Sequence, residues 1–197
     1  MAFELAEVYE NEYDQAVKHS FPPFPRGLAG KYYEEGLAYF NTFDGFGEQE
    51  ILSVEDRFEI DIRSSRFVGI VDLILRDRNT GAISVIDHKS KSMQSLTKDL
   101  RANKRQLYLY AAYVREKYGE FPALLRFNMF RYGEWVDEPF DPKAYEEMQD
   151  WTEQTIRRVR GERDWQVSAS GYFCKILCSV RGHCPVGESI INSGRHK

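Results

Sequence analysis

Gly69-Ile70-Val71-Asp72-Leu73-Ile74, then Arg76-Asp77-Arg78-Asn79-Thr80-Gly81, then Ile83-Ser84-Val85-Ile86-Asp87-His88-Lys89: the fold of this chain turns on these residues. Two runs rich in β-branched residues flank a polar stretch that carries Asn and Gly where a turn needs them, so an antiparallel hairpin is expected. Each run is interrupted by an aspartate. A turn centred near Asn79 and Thr80 sets positions summing to about 159 opposite one another, and 72 and 87 satisfy that sum. The two carboxylates are therefore expected as cross-strand neighbours. Strand periodicity adds that Asp87 and Lys89 project from one face and His88 from the other.

An ionised carboxylate in an apolar strand is costly to desolvate unless it is paired or coordinates a metal. Two readings follow. In one, Lys89 simply neutralises Asp72 and Asp87 in a buried salt bridge. In the other, the two acids are hard oxygen ligands for Mg²⁺ or Mn²⁺, and Lys89 orients a water or stabilises charge developing on a phosphate.

Outward from the hairpin, Glu50 to Ile62 alternates as a further strand, with Phe58, Ile60 and Ile62 on one face. Upstream, residues 1 to 18 and Leu28 to about Phe40 read as helices, separated by the breaker Phe21-Pro22-Pro23-Phe24-Pro25-Arg26-Gly27. Downstream, a helix is expected from roughly Thr97 to Tyr118, with Leu100, Leu107, Tyr110, Ala111 and Val114 as its apolar stripe and Gly119 near its end. Two strands follow, Ala123 to Arg131 and Trp135 to Phe140. Asp141-Pro142 then opens a helix running to about Arg160.

The chain has 197 residues, 42% hydrophobic and 14% aromatic, enough for one core, and a single domain over 1–197 is expected. No apolar run is long enough for a membrane span and no signal-peptide pattern opens the chain. Cys174, Cys178 and Cys184 crowd the 170–187 tail in an odd number, unlike a disulfide framework, which fits a reducing cytoplasm. Net charge is −4, so any nucleic-acid contact must rest on local charge. Lys89, Lys91, Lys98, Arg101, Lys104 and Arg105 supply such a cluster, which as a bare charge run reads equally well as a solvated helix face. Arg157, Arg158 and Arg160 read as a solvated face.

The hairpin and the helix after it resemble the PD-(D/E)XK nuclease superfamily, particularly its RecB-like exonuclease branch with AddB-like and CRISPR-associated relatives. That branch has a G-x-x-D strand, a strand ending D-x-K and a helix carrying Q-x-x-x-Y. Here these are Gly69 to Asp72, Asp87 to Lys89, and Gln106-Leu107-Tyr108-Leu109-Tyr110, in that order. The resemblance implies a restriction-endonuclease-like α/β core, a central mixed sheet flanked by helices. It also implies metal binding by Asp72 and Asp87 with the His88 backbone carbonyl, hydrolysis assisted by Lys89, and support and DNA contact from Gln106 and Tyr110, which share one helix face.

RecB-like nucleases add a metal-binding His from a helix before the sheet. The early histidine here is His19, beside the breaker, and Glu34, Glu35 or Glu50 can substitute with no feature choosing among them. Cys174, Cys178 and Cys184 resemble the C-terminal cysteines by which some relatives hold a [4Fe–4S] cluster together with a fourth, N-terminal cysteine. A chain beginning inside a longer protein accounts for the missing His and Cys. A zinc site of the three cysteines with His183, and three reduced cysteines without metal, are the other readings of the tail.

The expected function is a Mg²⁺- or Mn²⁺-dependent deoxyribonuclease, an exonuclease processing DNA ends in recombination or repair, in a phage or mobile-element setting, with protein partners. The alternatives are an inactive DNA-binding module of the same fold and a structural Fe–S or zinc module.

Overall fold

The computed structural model describes residues 2–20, 26–168 and 171–193. They form two compact units: one is Asp44–Glu162, the other the described parts of Met1–Phe43 and Arg163–Lys197. The breaker segment 21–25 lies outside the described residues.

The first unit is built on five strands: β1 (Gln49–Ile62), β2 (Ser65–Asp77), β3 (Ile83–His88), β4 (Leu124–Met129) and β5 (Glu134–Pro139), paired in that order. β3 and β4 run parallel and the other pairs antiparallel, so the sheet is mixed, as expected. A parallel neighbour needs a crossover. Here it is made by α3 (Met93–Lys98) and α4 (Leu100–Tyr118), and α5 (Pro142–Gly161) follows β5. Both α4 and α5 pack against the sheet, completing an α/β unit of the expected class.

Each turn has a local cause. Asp77 Oδ1 accepts from the amides of Asn79 and Thr80 at 3.0 and 2.8 Å, and Gly81 takes φ 74°, closing the β2–β3 turn. These contacts hold the Asp77 carboxyl below its usual range, the Thr80 amide contributing most. α5 starts where expected: Asp141 caps it by accepting from the Lys143 amide at 2.9 Å, with Pro142 in the first turn. The helix expected from Thr97 to Tyr118 is interrupted at Asp99 (φ −133°, ψ 43°), giving α3 and α4.

The sheet carries apolar clusters on both faces. Phe58, Ile60, Ile62, Val71, Ile74, Val85, Phe127 and the buried side of α4 form the larger one. Leu73, Leu75 and Ile86 form the other, with Phe46 packed against it. Burying each such aliphatic side chain contributes roughly 1.5–3 kcal/mol. Val71 and Leu73 are two apart yet lie in different clusters, which a regular strand forbids. The facing of β2 therefore switches at Asp72. Across from it, β1 carries the non-glycine residue Glu55 at φ 47°.

The second unit pairs α1 (Ala2–Lys18) with α2 (Leu28–Thr42) through a cluster of Tyr9, Tyr13, Tyr33 and Phe40. Tyr9 donates to the Tyr32 carbonyl at 3.0 Å and lies so close to Gly36 that a Cβ there would meet its hydroxyl. Its C-terminal part holds short turns at Phe173–Leu177 and Arg181–His183, then α6 (Pro185–Ser193), a helix the sequence reading did not anticipate. Among the described residues, no helix is long and apolar enough to cross a membrane.

Candidate active site

The β2–β3 register is the one the turn implies. Leu73 faces Ile86, Ile74 faces Val85, Leu75 faces Ser84 and Arg76 faces Ile83, so Asp72 and Asp87 occupy the next level. The ladder closes there through a side chain: the His88 amide donates to Asp72 Oδ2 at 2.7 Å. Asp72 thus takes the place of a backbone acceptor at the end of β3, which ties its carboxylate to the strand bearing the second acid.

Asp87 is 2% exposed. Its Oδ2 forms a 2.5 Å ion pair with Lys89 Nζ and has no other partner among the described residues. Burial pushes the Asp87 carboxyl up, the Lys89 ammonium pulls it back, and the neighbouring charge of Asp72 pushes the same way as burial. A buried carboxylate oxygen short of donors, beside a second carboxylate at the same level, fits a hard divalent cation. Among the described residues, no three His, Cys, Asp or Glu side chains form a group that could hold a metal. Two protein carboxylates are a donor set that suits Mg²⁺ or Mn²⁺, ions that retain several waters.

Lys89 donates to Gln106 Oε1 at 2.8 Å, and Gln106 Nε2 donates to the Tyr110 hydroxyl at 2.6 Å. The five residues singled out in the hairpin and in α4 therefore meet at the end of β3. Tyr110 is pushed up to about 12, first by burial and then by the charge of Asp87, so it stays a neutral phenol at neutral pH. Gly69, the motif glycine, has a packing role. A Cβ on it would lie 2.4 Å from Cζ of Phe58, whose ring stacks on Tyr113 at 4.6 Å and meets Tyr110 edge-on at 6.0 Å. The absence of a side chain at Gly69 thus sets where Tyr110 rests.

His88, on the opposite side of the strand from Asp87, places Nδ1 3.0 Å from Asn128 Nδ2. Desolvation pushes its pKa down, while the charges of Asp72 and Glu55 pull it up. Glu55 was missed from sequence. Val54 pairs with Leu73 and Asp56 with Val71, so Glu55 lies level with Asp72, and like Asp72 its charge acts on His88 and Tyr110. Glu50 pairs instead with Arg76, far along β1 from this level. The signal for Glu55 was a charged pair, Glu55-Asp56, breaking the alternation of β1.

The remaining expectations fall elsewhere. His19, Glu34 and Glu35 belong to the other unit. So do Cys174, Cys178 and Cys184, which are free thiols, the first buried and the others partly so. They make no metal-holding group, with His183 or otherwise, among the described residues. Part of the basic cluster is engaged locally: Arg101 pairs with Glu147 at 3.3 Å, Lys104 with Glu138 at 2.6 Å, and Arg105 lies over the Trp151 ring at 4.3 Å.

No curated protein matches the sequence. A solved structure described as "Crystal structure of SSO0001" is similar at 23% identity and a TM-score of 0.42, covering 92% of this chain and 81% of that one. That likeness is too slight to carry function across. The family comparison does carry it: the model of the PD-(D/E)XK nuclease superfamily matches residues 2–185, spanning the paired acids, the lysine and the helix that holds it. This chain belongs to the PD-(D/E)XK nuclease superfamily.

Proposed function

We propose that the chain acts as one nuclease domain, a divalent-metal-dependent deoxyribonuclease that removes nucleotides from DNA ends in recombination or repair. The observation carrying this reading is the buried Asp87 carboxylate, level with Asp72 and bridged by Lys89 to Gln106. A salt bridge alone would need neither the second acid at that level nor the amide relay behind the lysine.

In this reading Asp72, Asp87 and the His88 carbonyl hold Mg²⁺ or Mn²⁺. The ion supplies neutralising charge at the phosphate and a more acidic water at neutral pH. Lys89 is held at its ammonium by Asp87 and Gln106, so its charge is fixed before negative charge develops on the phosphate and needs little reorganisation then. Gln106 has two roles: it accepts from Lys89 and donates to Tyr110, which fixes its amide orientation. Water oxygen bonds to phosphorus and the P–O bond to the leaving nucleotide breaks, one water proton passing to solvent and the departing sugar oxygen taking up a proton from solvent. The buried Asp87 and the neutral Tyr110 phenol limit how much bulk water surrounds that step.

Incubating the chain and Mn²⁺ with matched linear and covalently closed circular DNA tests the end-processing claim. Linear DNA shortened while circles persist supports it. Circles cut as readily as linear molecules overturn it in favour of an endonuclease, and binding of DNA without cleavage favours the inactive module.

A further inference from the structure

We propose that Lys91 is a second substrate cation, binding a DNA backbone phosphate beside the one that reacts. This rests on the nuclease reading above and concerns a residue the family motifs do not include.

Lys91 follows Lys89 by two residues, just beyond β3, and the two ammonium groups are held in parallel ways by α4. Lys89 donates to the Gln106 amide, and Lys91 donates to Asn103 Oδ1 at 2.5 Å. Asn103, Gln106 and Tyr110 are spaced three and four apart and so share one face of α4. Asn103 is itself fixed, donating through Nδ2 to the Leu96 carbonyl at 3.0 Å. Lys91 is therefore positioned by the same helix face that positions Lys89.

The two lysines differ in compensation. Lys89 has Asp87 at 2.5 Å. Lys91 has a neutral amide as its hydrogen-bond partner and no ion pair among the described residues, although it is partly buried. Asp87 and Asp99 act on it only as more distant charges, and Lys89 repels it. A partly desolvated cation next to another cation is unfavourable unless something anionic completes it. Arg101, Lys104 and Arg105 already have partners on β5 and α5, which leaves Lys91 as the member of the basic cluster that is both placed at the acids and lacking a counter-ion. A DNA strand whose reacting phosphate sits at Asp72 and Asp87 presents further phosphates a few ångströms away, and one of them supplies that charge.

The test is binding of fluorescent duplex DNA by anisotropy in EDTA, where no cleavage occurs, over a range of salt. Two variants are compared with the parent. Lys91→Gln removes the charge. Asn103→Asp keeps the lysine but gives it an internal carboxylate partner, so the fold is retained or strengthened while the phosphate site is blocked. Gln154→Glu, exposed on α5, controls for net charge. Loss of one phosphate contact lowers the salt-dependence slope by about 0.9 and weakens binding roughly eightfold at 0.1 M salt. Both Lys91→Gln and Asn103→Asp are expected to show this, and Gln154→Glu is not. If the parent binds DNA and Lys91→Gln keeps its slope, or Asn103→Asp binds no worse than Gln154→Glu, Lys91 is only a tether to α4. If the parent neither binds nor cuts DNA, the nuclease reading fails and takes this inference with it.

Discussion

Replacing Gly69 by alanine should destabilise the protein through one identifiable ring. The new Cβ would stand 2.4, 2.8 and 3.1 Å from three atoms of the Phe58 ring, where contacts of about 3.5–4.0 Å are normal. The ring cannot easily yield: it is 3% exposed, stacked on Tyr113 and edge-on to Tyr110. Overpacking of this kind costs about 1–3 kcal/mol. Alanine recovers roughly 0.5–1 kcal/mol of strand backbone entropy relative to glycine. The expected net loss is about 1–2 kcal/mol, or a fall of roughly 2–8 °C in Tm. Urea unfolding followed by circular dichroism measures it. Phe58→Leu, which shortens the obstructing ring, should cost less in the Gly69→Ala background than alone, with a coupling on the order of 1 kcal/mol. Because the displaced ring touches Tyr110, Gly69→Ala should also slow DNA cleavage at temperatures where it stays folded. Simple additivity of the two substitutions, or an unchanged midpoint in Gly69→Ala, would refute this account of the motif glycine.

Other expectations follow from the same geometry. Asp56 is held down to about 2, first by Lys117 at 2.5 Å and next by the Tyr113 hydroxyl at 2.6 Å. Its folded pKa lies below its unfolded one, so its contribution is full above pH 4 and lost as pH falls through about 2; screened by solvent, it is about 1 kcal/mol. Asp56→Asn should therefore lower stability at pH 6 and converge with the parent near pH 2 in parallel melts; a constant gap would contradict it. Gln106→Leu leaves Lys89 without its amide and should lower kcat by about 10²-fold with a smaller change in KM, since a preorganised electrostatic contact is lost; unchanged kcat would remove Gln106 from the site. Millimolar Mn²⁺ should raise Tm by the mass-action stabilisation of the folded state, about 2.7 kcal/mol at a hundred times Kd, and Asp87→Asn should abolish that shift; an equal shift in both proteins places the ion elsewhere.

Much of the site was legible because its determinants are local. Asp77, Asn79, Thr80 and Gly81 specify a turn by their own hydrogen bonds, the turn sets the β2–β3 register, and the register sets Asp72 level with Asp87. The Gln106–Tyr110 spacing likewise needs only helical periodicity. What was missed depends on tertiary context. Glu55 lies where β1 departs from regular geometry, so period-2 alternation gives no side for it, and only pairing with β2 reveals its level. The break at Asp99 was hidden by continuous helix-compatible sequence on both sides. Gly69 could be read as a motif letter, but its cause, the Phe58 ring, comes from another strand. The fates of Arg101, Lys104 and Arg105 were equally invisible, since their partners lie on β5 and α5.

The central claim is that Asp72, Asp87 and Lys89 hydrolyse DNA with a divalent ion. End-labelled linear DNA incubated with the parent chain, Asp87→Ala or Lys89→Ala, each with Mn²⁺ or with EDTA, tests it most directly. The account predicts release of label by the parent with Mn²⁺ alone and by neither variant, with all three proteins folded by circular dichroism. Release that survives EDTA, or that either variant sustains at the parent's rate, would contradict it.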